Sequence, residues 1–208
     1  MLDFLHNPDE IPNFVIVGLG NPGHRFENTR RNIGFDLLDY LTKYSPESIY
    51  WNKRIHWSYT DRNLIEGYFV MYAKPQVFVN NSGMPVDDIM QRFKLKSDRL
   101  IVIFEDPTLN VGCYKIEKGG NPQPHSGINS IIQHLATTDF VRIRIGVGMN
   151  PEDEPLNVYL LSQIPENEYV AISSRYHEIY DFLTYYFYYD FDECMRIFNA
   201  YGSETERD

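Results

Sequence analysis

Gly18-Leu19-Gly20-Asn21-Pro22-Gly23 fits G-x-G-x-x-G, the spacing with which a glycine loop brings backbone amides to a pyrophosphate at a helix start. The context argues against that use. The helix would have to begin inside the loop, yet Pro22 lacks an amide hydrogen and eight mostly polar residues precede the first helical periodicity. A nicotinamide or flavin is therefore not expected. Arg92, Lys94, Lys96 and Arg99 gather at and beyond the end of an expected helix, a grouping that suits phosphate. Cys113 and Cys194 lie far apart and outside any C-x-x-C pair, which predicts neither a disulfide framework nor a metal site.

Around these residues the chain alternates strand-like and helix-like segments. Phe14 to Gly18 is a short apolar run closed by glycines, a buried strand ending in a tight turn. From Asn32, the residues Ile33, Phe35, Leu37, Leu38, Leu41 and Tyr44 follow helical spacing. Residues 54–74 read as a meander of short strands, with Tyr68 to Ala73 its most buried member. Val86, Ile89, Met90 and Phe93 mark a second helix after Ser82-Gly83. Leu100 to Phe104 and Val111 to Glu117 are expected strands, Ser126 to Leu135 a helix, and Val141 to Val147 an alternating strand. Tyr176, Ile179, Tyr180, Leu183 and Phe187 recur at helical intervals, and core packing explains that aromatic run better than a partner surface. Such interleaving predicts a single-domain α/β three-layer sandwich, a mixed central sheet flanked by helices.

The chain has 208 residues, 43% of them apolar, enough to bury a core without staples. Its net charge of -10 is uneven: residues 151–208 carry thirteen acids and three bases, and the remainder sixteen of each. The body is thus neutral, a weak endowment for gripping phosphates. Asp3, Asp9 and Glu10 without a basic start or apolar run argue against a leader. No run is long enough to span a bilayer. A cytoplasmic setting and a monomer are expected, with a mitochondrial location as the alternative.

The longer string from Val17 to Gly23, followed by Phe26, Thr29, Arg30, Asn32, Gly34 and Asp39, resembles the signature of bacterial-type peptidyl-tRNA hydrolases. Lys74-Pro75 through Phe78, Asn80, Ser82-Gly83 and Val86 resemble that family's next block. Glu105 to Gly127, with Gly112, Lys115, Gly119, Gly120, His125 and Gly127, resembles a third, and Arg142 to Gly148 completes the order. The resemblance covers residues 14–165; residues 166–208 are expected to form an acidic, aromatic-rich helical extension packed on the same domain. It implies hydrolysis of the ester joining a peptide to the 3' ribose of tRNA, without metal or organic cofactor. A histidine takes the proton of water, an aspartate holds its imidazole, and three asparagines position ester, peptide and water.

Carried over by position, Asn21 and Asn80 retain two of the asparagines, Phe26 belongs to the substrate shell, and His125 keeps the histidine beside the third. The family's base aligns with Arg31, and a guanidinium cannot accept a proton. Loss of a positioned base costs about a hundred- to ten-thousand-fold in rate. The orienting aspartate aligns with Glu105, one methylene longer, and the third asparagine with the shorter Ser126. Pro122, Gln123 and Pro124 replace a glycine-rich stretch and would stiffen a lid over the cleft. Arg31 and Glu105 have complementary charges, and an ion pair between them is expected in place of the histidine and aspartate; the alternative leaves both solvated. Lys115, Arg142 and Arg144 are candidates for an RNA-facing surface, against the alternative that alternating strand arginines simply face water.

The expectation is a catalytically inactive relative that serves as a binding or scaffold component of a ribosome-associated or other RNA–protein assembly. Its partners would be tRNA or ribosomal RNA and ribosome-associated proteins, including the mitochondrial ribosome. The alternative is an active hydrolase with a relocated base, for which His24, His125 and Asp106 are the nearby candidates.

Overall fold

The computed structural model describes residues 11–43, 45, 48–60, 63–121 and 124–202. The expectations for the acidic start of the chain, Tyr44, Pro122, Gln123 and the last six residues lie outside them. In chain order the elements are β1 (Phe14–Gly18), α1 (Ile33–Lys43), β2 (Trp51–Lys53), β3 (Trp57–Thr60), β4 (Asn63–Ile65), β5 (Tyr68–Pro75) and α2 (Gly83–Arg92). There follow β6 (Leu100–Asp106), β7 (Tyr114–Lys118), α3 (Ser126–Leu135), β8 (Val141–Gly146), α4 (Leu156–Leu161), α5 (Glu166–Ser173), α6 (Tyr176–Tyr188) and α7 (Phe191–Gly202). The eight strands form one mixed sheet in the order β2-β3-β5-β1-β6-β8-β7, with β4 also paired to β5. β5, β1, β6 and β8 run parallel at its centre, and the outer strands are antiparallel.

Alternation along the central strands divides the core into two layers, as the two-residue period of a strand requires. Phe14, Ile16, Ile101, Ile103, Val141 and Ile143 meet α1 through Leu37, Leu38 and Leu41, and α6 through Tyr176, Ile179, Phe182 and Leu183. Val15, Val17, Leu100, Val102 and Phe104 meet α2 and α3 on the other side through Val86, Ile89, Ile128 and Ile131. The aromatic run of α6 is therefore core. Tyr176 is fully buried and its hydroxyl donates to Asp36 Oδ2 at 2.7 Å, joining α6 to α1. Burial is the main cause that raises the Asp36 carboxyl above its usual range, opposed by the hydrogen bonds from Tyr176 and Tyr169. Among the described residues, no helix is long and apolar enough to cross a membrane.

Two differences from the sequence reading have local causes. β7 begins at Tyr114 rather than Val111, because Gly112 takes φ +78 and the turn is occupied in bonding: Gly146 N–H donates to the Cys113 carbonyl at 2.8 Å. β8 alternates as expected, yet every residue in it is buried, arginines included.

The site end of the sheet is set by a close approach of backbones. A Cβ on Gly18 would sit 2.3 Å from the Gly34 carbonyl oxygen, and one on Gly34 would sit 2.5 Å from the Ile103 oxygen and 2.7 Å from the Leu19 nitrogen. The end of β1, the start of α1 and the middle of β6 thus meet with no room for a side chain between them. Leu19 N–H donates to the Ile103 carbonyl at 2.8 Å, which locks the same junction. We expect Gly34→Ala to destabilise the protein by about 3 kcal/mol, since rigid backbone must move to admit the methyl. Urea unfolding checks it, and an unchanged midpoint would refute the close-packing account.

Candidate active site

The junction places residue 31 over the end of β6. Arg30, Arg31 and Asn32 form a 3-10 turn directly before α1, three residues upstream of Gly34, while Glu105 lies two residues beyond Ile103. The two adjacent arginines diverge. Arg30 is buried against the segment between α4 and α5: its Nη2 donates to Glu168 at 2.6 Å, its Nη1 to the Gln163 carbonyl at 3.1 Å, and its guanidinium stacks over Tyr159. Arg30 N–H also donates to the Ser162 carbonyl, so the segment between α4 and α5 holds the turn.

Arg31 turns inward and its Nη1 donates to Glu105 Oε1, the ion pair expected from the sequence. Glu105 has no exposed surface, and a carboxylate in that position requires a charged or strongly donating partner. It has two. His125 Nε2 lies 3.0 Å from the same Oε1 and 3.4 Å from Arg31 Nη1. The ring's other nitrogen settles its proton: His125 is the N-cap of α3, and its Nδ1 accepts the Ile128 N–H at 3.1 Å. A nitrogen that accepts carries no hydrogen, so Nε2 bears it and donates to Glu105. Both nitrogens of His125 are therefore engaged, and the ring presents no lone pair to a water. The 3.4 Å approach of Nη1 and Nε2 is that of two donors sharing one acceptor. Glu105 Oε2 is buried and accepts from none of the described residues.

The other candidate bases lie elsewhere or are saturated. His24 is exposed and bonds Glu27 at 2.7 Å. Asp106 accepts Thr108 N–H at 2.8 Å and the Thr108 hydroxyl at 2.6 Å on Oδ1, and Arg144 Nε at 2.5 Å on Oδ2.

Around this cluster the shell forms by reciprocal amide bonds. Asn21 N–H donates to Asn32 Oδ1 at 2.8 Å, and Asn32 Nδ2 donates back to the Asn21 carbonyl at 2.9 Å. Asn21 Oδ1 accepts Val79 N–H at 2.9 Å, which ties the glycine loop to the segment carrying Asn80. Asn80 and Ser126 are exposed, Ser126 at the first position of α3. Phe26 is buried edge-on against the half-exposed Phe78, ring centres 6.1 Å apart, with Arg25 stacked on it. Asn32 carries no assigned role in the sequence reading, because a bond between side chain and backbone eleven residues apart has no periodic signal.

Arg142 and Arg144 need correction. Neither faces RNA or water: they are 1% and 3% exposed. Arg144 pairs with Asp106 and reaches Glu117 at 3.3 Å; Arg142 donates to the Gly119 carbonyl and lies 3.2 Å from Glu117. Strand register puts Glu117 opposite Arg142 and Lys115 opposite Arg144, so the carboxylates across the ladder and the chain at Gly119 cover the arginines. Of the three, Lys115 alone is exposed. The basic residues from Arg92 to Arg99 are exposed before the first residue of β6, at the opposite end of that strand from Glu105.

A cavity of about 370 Å³ lies beside the glycine loop, bounded by Asn21, Asp36, Asp39, Lys74 and Tyr169 among others, and excludes Arg31, Glu105 and His125. Lys74 Nζ pairs with Asp39 at 2.5 Å, 4.4 Å from the Trp51 ring centre. Burial lowers its pKa and Asp39 pulls it back. Volume is here a poorer guide to the chemistry than the buried charges.

A family model described as peptidyl-tRNA hydrolase matches residues 15–207. The chain is 40% identical over 155 residues to a peptidyl-tRNA hydrolase of Alkaliphilus metalliredigens, covering 74% of this chain and 82% of the relative. It is 32% identical over 196 residues to one from Lawsonia intracellularis, covering 92% and 96%. Its fold is similar to the crystal structure of peptidyl-tRNA hydrolase from Acinetobacter baumannii, with a TM-score of 0.82 and 25% identity, covering 91% of this chain and 96% of that one.

Removing one member of the buried pair leaves the other's charge stranded. We expect Arg31→Met to cost about 3 kcal/mol, and Glu105→Gln added to it to recover most of that loss. Equilibrium denaturation of the two variants measures this, and equal stabilities would show that Arg31 does not neutralise Glu105.

Proposed function

The chain belongs to the peptidyl-tRNA hydrolase family, and on that premise we propose that it binds the ester end of peptidyl-tRNA and hydrolyses it slowly. The observation that carries this reading is the buried cluster at the family's base position, a shell of family type built around a guanidinium. Asn21, Asn80, Phe26 and Ser126 supply the groups that would hold the ester and peptide. Arg31 cannot take a proton from water, and both nitrogens of His125 are spent. Glu105 Oε2 is the remaining acceptor, the only oxygen of the cluster without a donor among the described residues. In this reading Glu105 receives the water's proton once Arg31 shifts to open the carboxylate, and Asn21 and the N-terminus of α3 orient the ester. The expected rate is about a hundred- to ten-thousand-fold below that of a relative with histidine in place of Arg31. Lys115 would contribute one phosphate contact, and the cytosol is the setting.

A second reading is favoured by the closure of the cluster itself: Arg31, Glu105 and His125 satisfy one another and leave little for chemistry. The protein would then bind without turnover, with tRNA or ribosomal RNA and ribosome-associated proteins as partners. The names of the relatives support the hydrolase more than this scaffold.

Single-turnover release of N-acetyl-aminoacyl groups from tRNA separates the two. The native protein should cleave above the buffer rate, Glu105→Gln should abolish the excess, and Arg31→His should raise the rate about a hundredfold or more. Binding of tRNA with no excess release would leave the second reading standing, and a native rate equal to that of Arg31→His would overturn the role given to Arg31.

A further inference from the structure

Only part of the Arg31 guanidinium is used. Nη1 donates to Glu105, and among the described residues nothing accepts from Nε–H or Nη2–H. Neither nitrogen is among the buried atoms that lack a partner, and the side chain keeps 13% of its surface exposed. Among the described residues those two N–H groups therefore keep accessible surface and have no acceptor. They form one edge of the guanidinium, two parallel donors spaced to match the two oxygens of a carboxylate.

We infer that this edge of Arg31, outside the cavity beside the glycine loop, is a subsite for the free C-terminal carboxylate of a peptide, gripped by Nε–H and Nη2–H. The inference rests on the reading of the cleft as a peptidyl-ester site. A neutral ester gains little from a permanent cation at this point, whereas the acid released by ester cleavage gains a charge-assisted, bidentate contact. Glu105 selects the class of anion. Its buried charge already neutralises Arg31 from the Nη1 side, so a singly charged, planar ligand is tolerated while a phosphate dianion meets repulsion that the low-dielectric interior does not screen. The extra methylene of glutamate over aspartate gives its carboxylate the reach to meet Nη1. The positive end of α3, which begins beside His125, adds attraction for an anion. The consequence is a protein that retains released peptide ends and is inhibited by them.

Calorimetric titration of the full chain tests this with an N-acetyl dipeptide acid, its C-terminal amide and inorganic phosphate. The acid should bind the native protein about tenfold or more tighter than the amide. The preference should disappear in Arg31→His at about pH 8, where an imidazole is neutral, and shrink in Arg31→Lys, whose ammonium lacks the fork. Equal binding of acid and amide by the native protein overturns the inference without any variant. So does a preference that survives Arg31→His, or phosphate that outcompetes the acid. If the native protein cleaves the ester but does not distinguish acid from amide, the hydrolase reading stands and the subsite falls. If the acid preference depends on Arg31 while tRNA is neither bound nor cleaved, the subsite stands and the family-substrate reading falls.

Discussion

Glu105 is the last residue but one of a strand whose every residue is buried, and its carboxylate has no exposed surface. Ionised groups in such a place must be met by cations or strong donors, or they unfold the structure around them. Arg31 and His125 answer that demand from two separate parts of the chain, the turn before α1 and the cap of α3. The composition of the site follows from that requirement. A cation at position 31 balances the carboxylate, and the imidazole, its Nδ1 held by the first turn of α3, can serve only as a donor.

This arrangement holds because backbone, not side chains, sets the distance between the partners. Gly18 and Gly34 let the end of β1 and the start of α1 touch, and Gly34 rests against the carbonyl of Ile103. Arg31 and Glu105 lie three and two residues from that contact, too few to allow either much freedom. Gly83 plays the same part for α3: its Cβ would lie 2.1 Å from the Ser130 carbonyl oxygen, and its N–H donates to Ser130 Oγ at 3.0 Å. The helix that presents His125 is thereby seated on the helix that follows Asn80.

Elsewhere the protein treats buried charge in the same way. Arg30 meets Glu168, Arg144 meets Asp106, and Lys74 meets Asp39, each pair joining segments far apart in sequence. Such pairs add little net stability over apolar substitutes, but each penalises any packing that separates its members. The acidic C-terminal region shows the distinction between composition and placement. Among the described residues Glu166, Asp190 and Asp192 are exposed, while the aromatic face of α6 completes the core against β1 and α1.

The order of elements, the helices of α1, α2 and α3, the meander and the central strands were legible in the amino-acid sequence, because periods of two and of about 3.6 record which residues face a core. The family was legible too, since its motifs are local strings, and so was the complementarity of Arg31 and Glu105, since charge is written in residue type. The alternation of β8 was equally visible, but whether its arginines met water or carboxylates was not. That depended on the register that sets Glu117 beside Arg142 and on the chain folding over at Gly119. The proton of His125 was decided only by tertiary structure, because it is placed by a backbone amide on one side and a carboxylate twenty residues away on the other. Local periodicity carries burial; partner identity arises from strand pairing and helix seating, which no single stretch of sequence contains.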